Sequence, residues 1–210
     1  MNNSLENNAA AIRARLKKLR TAQNPIDSNR GALLIRGRLF TWLATTRARL
    51  QAAGRSAPSH IAAFWSMDHE PQLKPLLSQW VDEEGLTVSL PVVAGPNAPL
   101  EFHLWTPDTP MQPGAYGIME PQSAMAPLPD VILVPTLGYT RQGDRLGYGK
   151  GYYDRTLDAL AKRKHPHITI GIAWACGDLS GQPYVPADHD IRLDAILTDK
   201  GWAVPAPTPT

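Results

Sequence analysis

Cysteine is almost missing from this chain: Cys176 stands alone among 210 residues. No internal disulfide can form, and a reducing compartment is expected. The lone thiol reads as a small buried hydrophobe at the end of a strand rather than as a nucleophile. Long apolar runs are absent too, none approaching the ~18 residues that span a bilayer. Met1 to Ala11 is rich in Asn and Ala and lacks the basic-then-apolar pattern of a secretory leader. Nor is there an excess of one charge. Twenty-one Lys and Arg against nineteen Asp and Glu leave +2, which gives neither nucleic acid nor an anionic membrane a reason to be a global partner. A cytoplasmic protein is the expectation.

What is present suits a packed core, with 43% hydrophobic and 19% charged residues. The length suits one domain, read as a helical part over 1–55, a core over 56–200 and a flexible tail over 201–210. Helices are expected from residue 4 to about 22, with Ile12, Leu16 and Leu19 on one face, and from Asp27 to Ala53, capped by Ser28 and stopped near Gly54. A third helix is expected over Pro71–Glu84. Strand patterns fall at Ile61–Trp65, Leu86–Val93, Glu101–Trp105, Val131–Val134, Ile168–Trp174 and Asp194–Thr198. Twenty prolines concentrate in irregular stretches, including a long Pro/Gly segment over 107–129. The four consecutive apolar residues Val131–Val134 require protein on both faces. Strands alternating with helices imply an α/β fold: a mainly parallel, twisted sheet covered by helices on both faces, in three α/β/α layers. Ligands bind such sheets beyond the carboxyl ends of the strands.

The stretch that carries chemistry is Arg145-Leu-Gly-Tyr-Gly-Lys-Gly-Tyr-Tyr-Asp-Arg155, between a buried strand and a helix beginning near Tyr152. Gly147, Gly149 and Gly151 let backbone approach a ligand without an intervening Cβ. Amides entering a helix converge on one locus where the dipole favours an anion. Lys150 and Arg145 add full charges. The pattern is neither a P-loop, since Gly-Lys is followed by Gly, nor a dinucleotide fingerprint. Spacing alone leaves open an anion-binding loop or a plain glycine-rich turn. Asp154 complements the helix dipole, or holds Mg²⁺ against phosphates. Tyr152 and Tyr153 are core, or flat walls for a ring.

Arg145 to Asp154 resembles the signature of the 5-formyltetrahydrofolate cyclo-ligase (methenyltetrahydrofolate synthetase) family, and the similarity extends over roughly residues 8–200. The resemblance implies ATP contacts from Arg13, Arg20, Arg145, Leu146, Gly147, Tyr148, Gly149, Lys150, Gly151 and Tyr152, with Lys150 and Arg145 catalytic. The family usually carries a basic residue four positions before Arg13, where this chain has Ala9. Either Asn8 or a shifted register fills that place, or one contact is missing. Phe64-Trp-Ser-Met67-Asp-His-Glu70 is similar to the family's first strand and acidic follow-up, which implies folate contacts for Met67 and for Glu70, otherwise a first-turn helix residue. Pro113–Pro121 is similar to a loop that closes over folate. Trp105, Tyr116 and Tyr153 are stacking candidates, although a strand Trp is more often core. Val185–Asp194 resembles the carboxy-terminal motif, which implies Asp190 as the second metal-linked acid beside Asp154, Asp194 as the alternative, and His189 as a positioning or packing residue.

The resemblance further implies a monomeric ligase that uses ATP and Mg²⁺ on a small-molecule folate, with or without a polyglutamate tail. Two rivals stand beside it. One is a sugar-phosphate isomerase or CoA transferase-like enzyme, whose layout is similar and which would need an acid/base or glutamyl nucleophile but no ATP. The other is a nucleic-acid module using the basic amino-terminal helices, which would bind with steep salt dependence.

Overall fold

The computed structural model describes residues 2–187 and 190–207, with side chains from residue 8 onward. Two long helices lead, α1 (Asn2–Thr21) and α2 (Pro25–Ala52), separated where Asn24-Pro25 forbids continuation. The cap of α2 is Asn24, whose side chain accepts from the Ile26 amide at 2.8 Å, and not Ser28. Pro25 occupies the first turn, where its missing N–H costs nothing. Gly54, at φ 67, ends the helix.

One seven-stranded sheet follows in the order β11-β10-β9-β6-β1-β2-β3. Its strands are β1 (His60–Ala62), β2 (Thr87–Val93), β3 (Leu100–Trp105), β6 (Val131–Pro135), β9 (Ile168–Ala173), β10 (Ala195–Thr198) and β11 (Gly201–Val204). From β10 through β9, β6 and β1 to β2 every pairing is parallel, while β3 and β11 add antiparallel edges. The sheet is therefore mainly parallel, as the alternation of elements requires. Gly201–Val204 is not the start of a flexible tail but a strand hydrogen-bonded to β10.

Alternation along β6 shows why both faces must be covered. Val131 and Leu133 pack with Ile35, Leu39 and Leu43 of α2 and with Leu76, Leu77 and Trp80 of α3 (Lys74–Asp82). Ile132 and Val134 point the other way, onto Leu157 and Leu160 of α4 (Tyr152–Lys162). Helix α1 covers neither face. Ile12 and Leu16 seat it against Leu137, Leu146 and Leu179, whereas Leu19, expected on that buried face, is 43% exposed. Trp105 is buried in the α2/α3 cluster. Its edge-to-face partner is Trp65, with ring centroids 6.5 Å apart. Cys176 is exposed on a 3₁₀ turn after β9, not buried in a strand.

Two hairpins interrupt the regular alternation. β4 (Met111–Pro113) and β5 (Met119–Pro121) flank a 3₁₀ turn within the Pro/Gly segment. β7 (Gly138–Tyr139) and β8 (Arg145–Leu146) lead from the end of β6 into the glycine stretch.

Candidate active site

A cavity of about 410 Å³ opens at the carboxyl ends of β1, β2 and β6. It is lined by segments far apart in sequence: Trp65 to Glu70 after β1, Pro91 and Val93 of β2, Pro135 of β6, the glycine stretch, and Tyr116 to Glu120 of the small hairpin. A larger, open groove of about 600 Å³ runs along α2 between Leu33, Trp42 and Trp202. It contains none of the residues expected to carry chemistry.

One wall is the stretch Gly147–Gly151. Gly149 has φ 89 and Gly151 φ 66, backbone conformations that side chains with a Cβ rarely adopt. Gly151 caps α4 in the left-handed region, and with Tyr152 and Tyr153 it brings the start of that helix to the cavity. Arg13 of α1 donates from Nε to the Gly147 carbonyl at 2.9 Å, and a Cβ on Gly149 would lie 3.2 Å from the Arg13 Cζ. Gly149→Ala is therefore strained twice, in backbone and in contact. Such a residue costs about 1–3 kcal/mol, and the expected result is a lower melting temperature in scanning calorimetry.

Buried charge backs this wall. Arg145 is 6% exposed and its Nη2 meets Asp154 Oδ1 at 2.6 Å. The guanidinium lies over the Tyr153 ring, 5.8 Å from its centroid. Lys150 is exposed, its Nζ 5.2 Å from the centre of the Tyr116 ring. Tyr116 in turn meets Tyr152 edge-on, with hydroxyls 3.4 Å apart. Tyr116 has φ 60, unusual for a bulky residue, and it rides at the tip of the hairpin.

The opposite feature is a buried carboxylate. Glu70, 5% exposed, accepts from the Met67 amide at 2.9 Å and from the Tyr148 hydroxyl. Arg20 donates from Nη1 to that hydroxyl at 2.8 Å, donates from Nη2 to the Thr136 carbonyl, and reaches Glu70 at 3.9 Å. Burial raises the Glu70 carboxyl above its ordinary value of 4.5, with the Tyr148 and Met67 hydrogen bonds and Arg20 opposing. The folded protein thus holds this proton to higher pH than the unfolded chain. That contribution to stability is present below 4.5 and is lost as pH rises through the raised value. Glu70→Gln removes this titration. Its melting temperature relative to wild type is expected to rise as the pH is raised above 4.5, and a constant difference would contradict the shift.

Of the residues expected here, Met67, Glu70, Tyr116 and Tyr153 line the cavity together with Arg13, Arg145, Leu146, Tyr148, Lys150, Tyr152 and the three glycines. Arg20 lies just behind it, through Tyr148. Trp105 does not reach it, because the alternation of β3 turns that ring into the α2/α3 core, and Trp65 presents the aromatic surface instead. Asn8 is directed at the Pro183 carbonyl and Ala9 packs with Tyr184. The basic side chain on that helix is Lys17, one turn after Arg13, which lines the cavity and lies over the Tyr148 ring at 5.6 Å. Spacing of four on one helix is the signal that identifies it. Glu120 lines the cavity as well; the sequence places it in the Pro113–Pro121 stretch without a role of its own.

Asp154 and Asp190 both line the cavity. Asp194 is occupied elsewhere, accepting from the Thr169 amide and hydroxyl at 2.8 Å each. His189 lies outside the described residues. Among those described, no three His, Cys, Asp or Glu side chains form a metal cage. Two carboxylates fit instead a hard cation held mainly by phosphate and water oxygens. No helix among the described residues is long and apolar enough to cross a membrane.

Residues 6–199 match the model of the 5-formyltetrahydrofolate cyclo-ligase family. The chain is 32% identical over 162 residues to the 5-formyltetrahydrofolate cyclo-ligase of Haemophilus influenzae, covering 73% of this chain and 83% of that protein. Against the enzyme of the same name from Mycolicibacterium smegmatis the identity is 33%, over 72% of this chain and 77% of the other. A solved 5,10-methenyltetrahydrofolate synthetase from Mycoplasma pneumoniae superposes with a TM-score of 0.70 at 20% identity, covering 91% of this chain and 98% of that one. The Aquifex aeolicus synthetase gives 0.68 at 23%, with 92% and 91% covered. At those identities the superpositions speak to the fold.

Proposed function

Since the chain belongs to the 5-formyltetrahydrofolate cyclo-ligase family, we propose that it converts 5-formyltetrahydrofolate to 5,10-methenyltetrahydrofolate while ATP becomes ADP and phosphate. The observation that carries this reading is that one cavity is lined both by the Gly147–Gly151 backbone with Lys150 and by the buried Glu70. An anion cradle and an acceptor for a heterocycle's N–H edge therefore face the same space.

The formyl group at N5 is an amide, so its carbon is a poor electrophile and its oxygen a poor leaving group. Transfer of the γ-phosphoryl group to that oxygen corrects both. The N10 amine then attacks the carbon, and phosphate departs. Phosphoryl transfer demands positioning and charge compensation rather than a protein nucleophile. Arg13, Lys17 and Lys150 supply cations on the cradle side, and Arg145, engaged by Asp154, sets the loop. Ionised Glu70 would accept paired hydrogen bonds from the aminopyrimidine edge. Trp65 and the Tyr116–Tyr152 pair offer flat walls to the rings. Asp154 and Asp190 would hold Mg²⁺, which neutralises phosphate charge. A cytoplasmic monomer acting on folate, with or without a polyglutamate tail, completes the reading.

Absorbance in the ultraviolet band of the methenyl product, followed with and without ATP and Mg²⁺, tests it. Product formation that requires ATP is the expected result. Product without phosphate release, or no product at all, would reject the proposal. Phosphate release that depends on 5-formyltetrahydrofolate also separates this reading from an isomerase or CoA transferase.

A further inference from the structure

Glu120, on β5 of the small hairpin, is a second carboxylate of the cavity wall and is only 7% exposed. Its Oε1 accepts from the Val93 amide at the end of β2, at 3.1 Å. The carboxylate lies flat beneath Gly114, where a Cβ would collide with all three of its atoms. Among the described residues its Oε2 has no hydrogen-bond or ion-pair partner. Oε2 is therefore the oxygen left for a ligand or solvent in the cavity that Glu120 lines. The sites around it are apolar: Pro91, Val93, Leu100 and Ile118 line the same side, a surface suited to an arylamine ring rather than to phosphates.

Ring closure releases one proton, from N10. When N10 attacks, its lone pair forms the new C–N bond. The bond from that carbon to the phosphorylated oxygen breaks, with phosphate taking the electron pair, and the N10 proton must leave for the product to become the amidinium ring. Glu70 is committed to Tyr148, Met67 and Arg20, and Asp154 to Arg145. Resting on that reading, we infer that Glu120 Oε2 is the general base that takes the N10 proton during ring closure, with Oε1 anchored by Val93 so that the second oxygen is held toward the substrate.

Glu120→Gln retains an acceptor for Val93 but not the basicity. Turnover is expected to fall by about 10²-fold or more, with the KM for folate within about 3-fold of wild type. Phosphoryl transfer precedes proton loss, so rapid quench should show a burst of ADP, one per site, ahead of slow methenyl formation. Glu120→Ala should be similarly slow and partly rescued by added formate, a readout that a packing role would not move. Turnover of Glu120→Gln within about 3-fold of wild type overturns the assignment. So does a rise in KM alone, or a slow ADP phase that tracks the product. Should the variants prove unfolded by circular dichroism, a folded Glu120→Asp variant, whose carboxylate is withdrawn by one methylene, is expected to lose about 10-fold or more in turnover with its KM kept, and unchanged turnover there counts against the assignment equally. A wild-type protein without ATP-dependent product would instead sink the functional reading, and this assignment with it.

Discussion

Lys150→Ala is expected to lower turnover by about 10²–10³-fold while leaving the fold untouched. The side chain is exposed, and its one described contact is the face of Tyr116, 5.2 Å from the ring centre. An exposed cation–π contact contributes roughly 0.5–1 kcal/mol. For a chain of this size that corresponds to only about 2–4 °C of melting temperature. On the proposed function the same ammonium would face charge that grows on the reacting oxygens, where one aimed donor contributes about 3–4 kcal/mol. The two magnitudes separate the roles. A paired measurement of turnover and thermal melting checks them, and near-normal turnover would remove Lys150 from the chemistry.

Arg20→Ala carries the largest expected effect on stability, a loss of about 3–5 kcal/mol. Arg20 is 4% exposed and joins α1 to three other segments through Thr136, Tyr148 and Glu70. The ion pair itself is long, and Arg20 is the smallest of the influences on the Glu70 carboxyl. Most of the cost therefore comes from the stranded Tyr148 and Thr136 groups and from Glu70 left with no cation beside it. Melting should fall by about 10 °C or more, and the loss should be smaller at low pH, where Glu70 is protonated in both states. Because α1 also delivers Arg13 and Lys17 to the cavity, nucleotide affinity should weaken in the same variant. A stable variant with unaltered nucleotide binding would show that α1 is held by its apolar contacts alone.

Much of the cavity wall is legible in the sequence. The glycine stretch stands out because closely spaced glycines with a lysine among them, entering a helix, read as an anion-binding loop or a glycine-rich turn, and the fold places it at the cavity. Val131–Val134 could only be an interior strand, and it is one. Trp105 and Trp65 show where such reasoning stops. Both are strand-region tryptophans, and whether an indole meets a ligand or the core depends on which side of the sheet the other elements cover. Lys17 was visible as a helix residue, but only the seating of Ile12 and Leu16 on Leu137 and Leu146 turns its face toward the cradle. Glu120 lies in the Pro113–Pro121 stretch that the resemblance marks, but its burial is not legible there, because it comes from Gly114 folding over it and from Val93, 27 residues earlier in the chain.

Local chemistry by itself determined the alternation of strands and helices, the close-approach backbone of the glycine stretch and the exclusion of internal disulfides, since each depends on neighbours within a turn or a strand. Tertiary structure alone decided the short hairpins, the edge strand β11 and the choice of Glu120, Trp65 and Lys17 as cavity walls. Two or three paired residues carry too little periodicity to read. A side chain's surroundings, moreover, are set by segments brought together from across the fold rather than by the residues beside it in sequence.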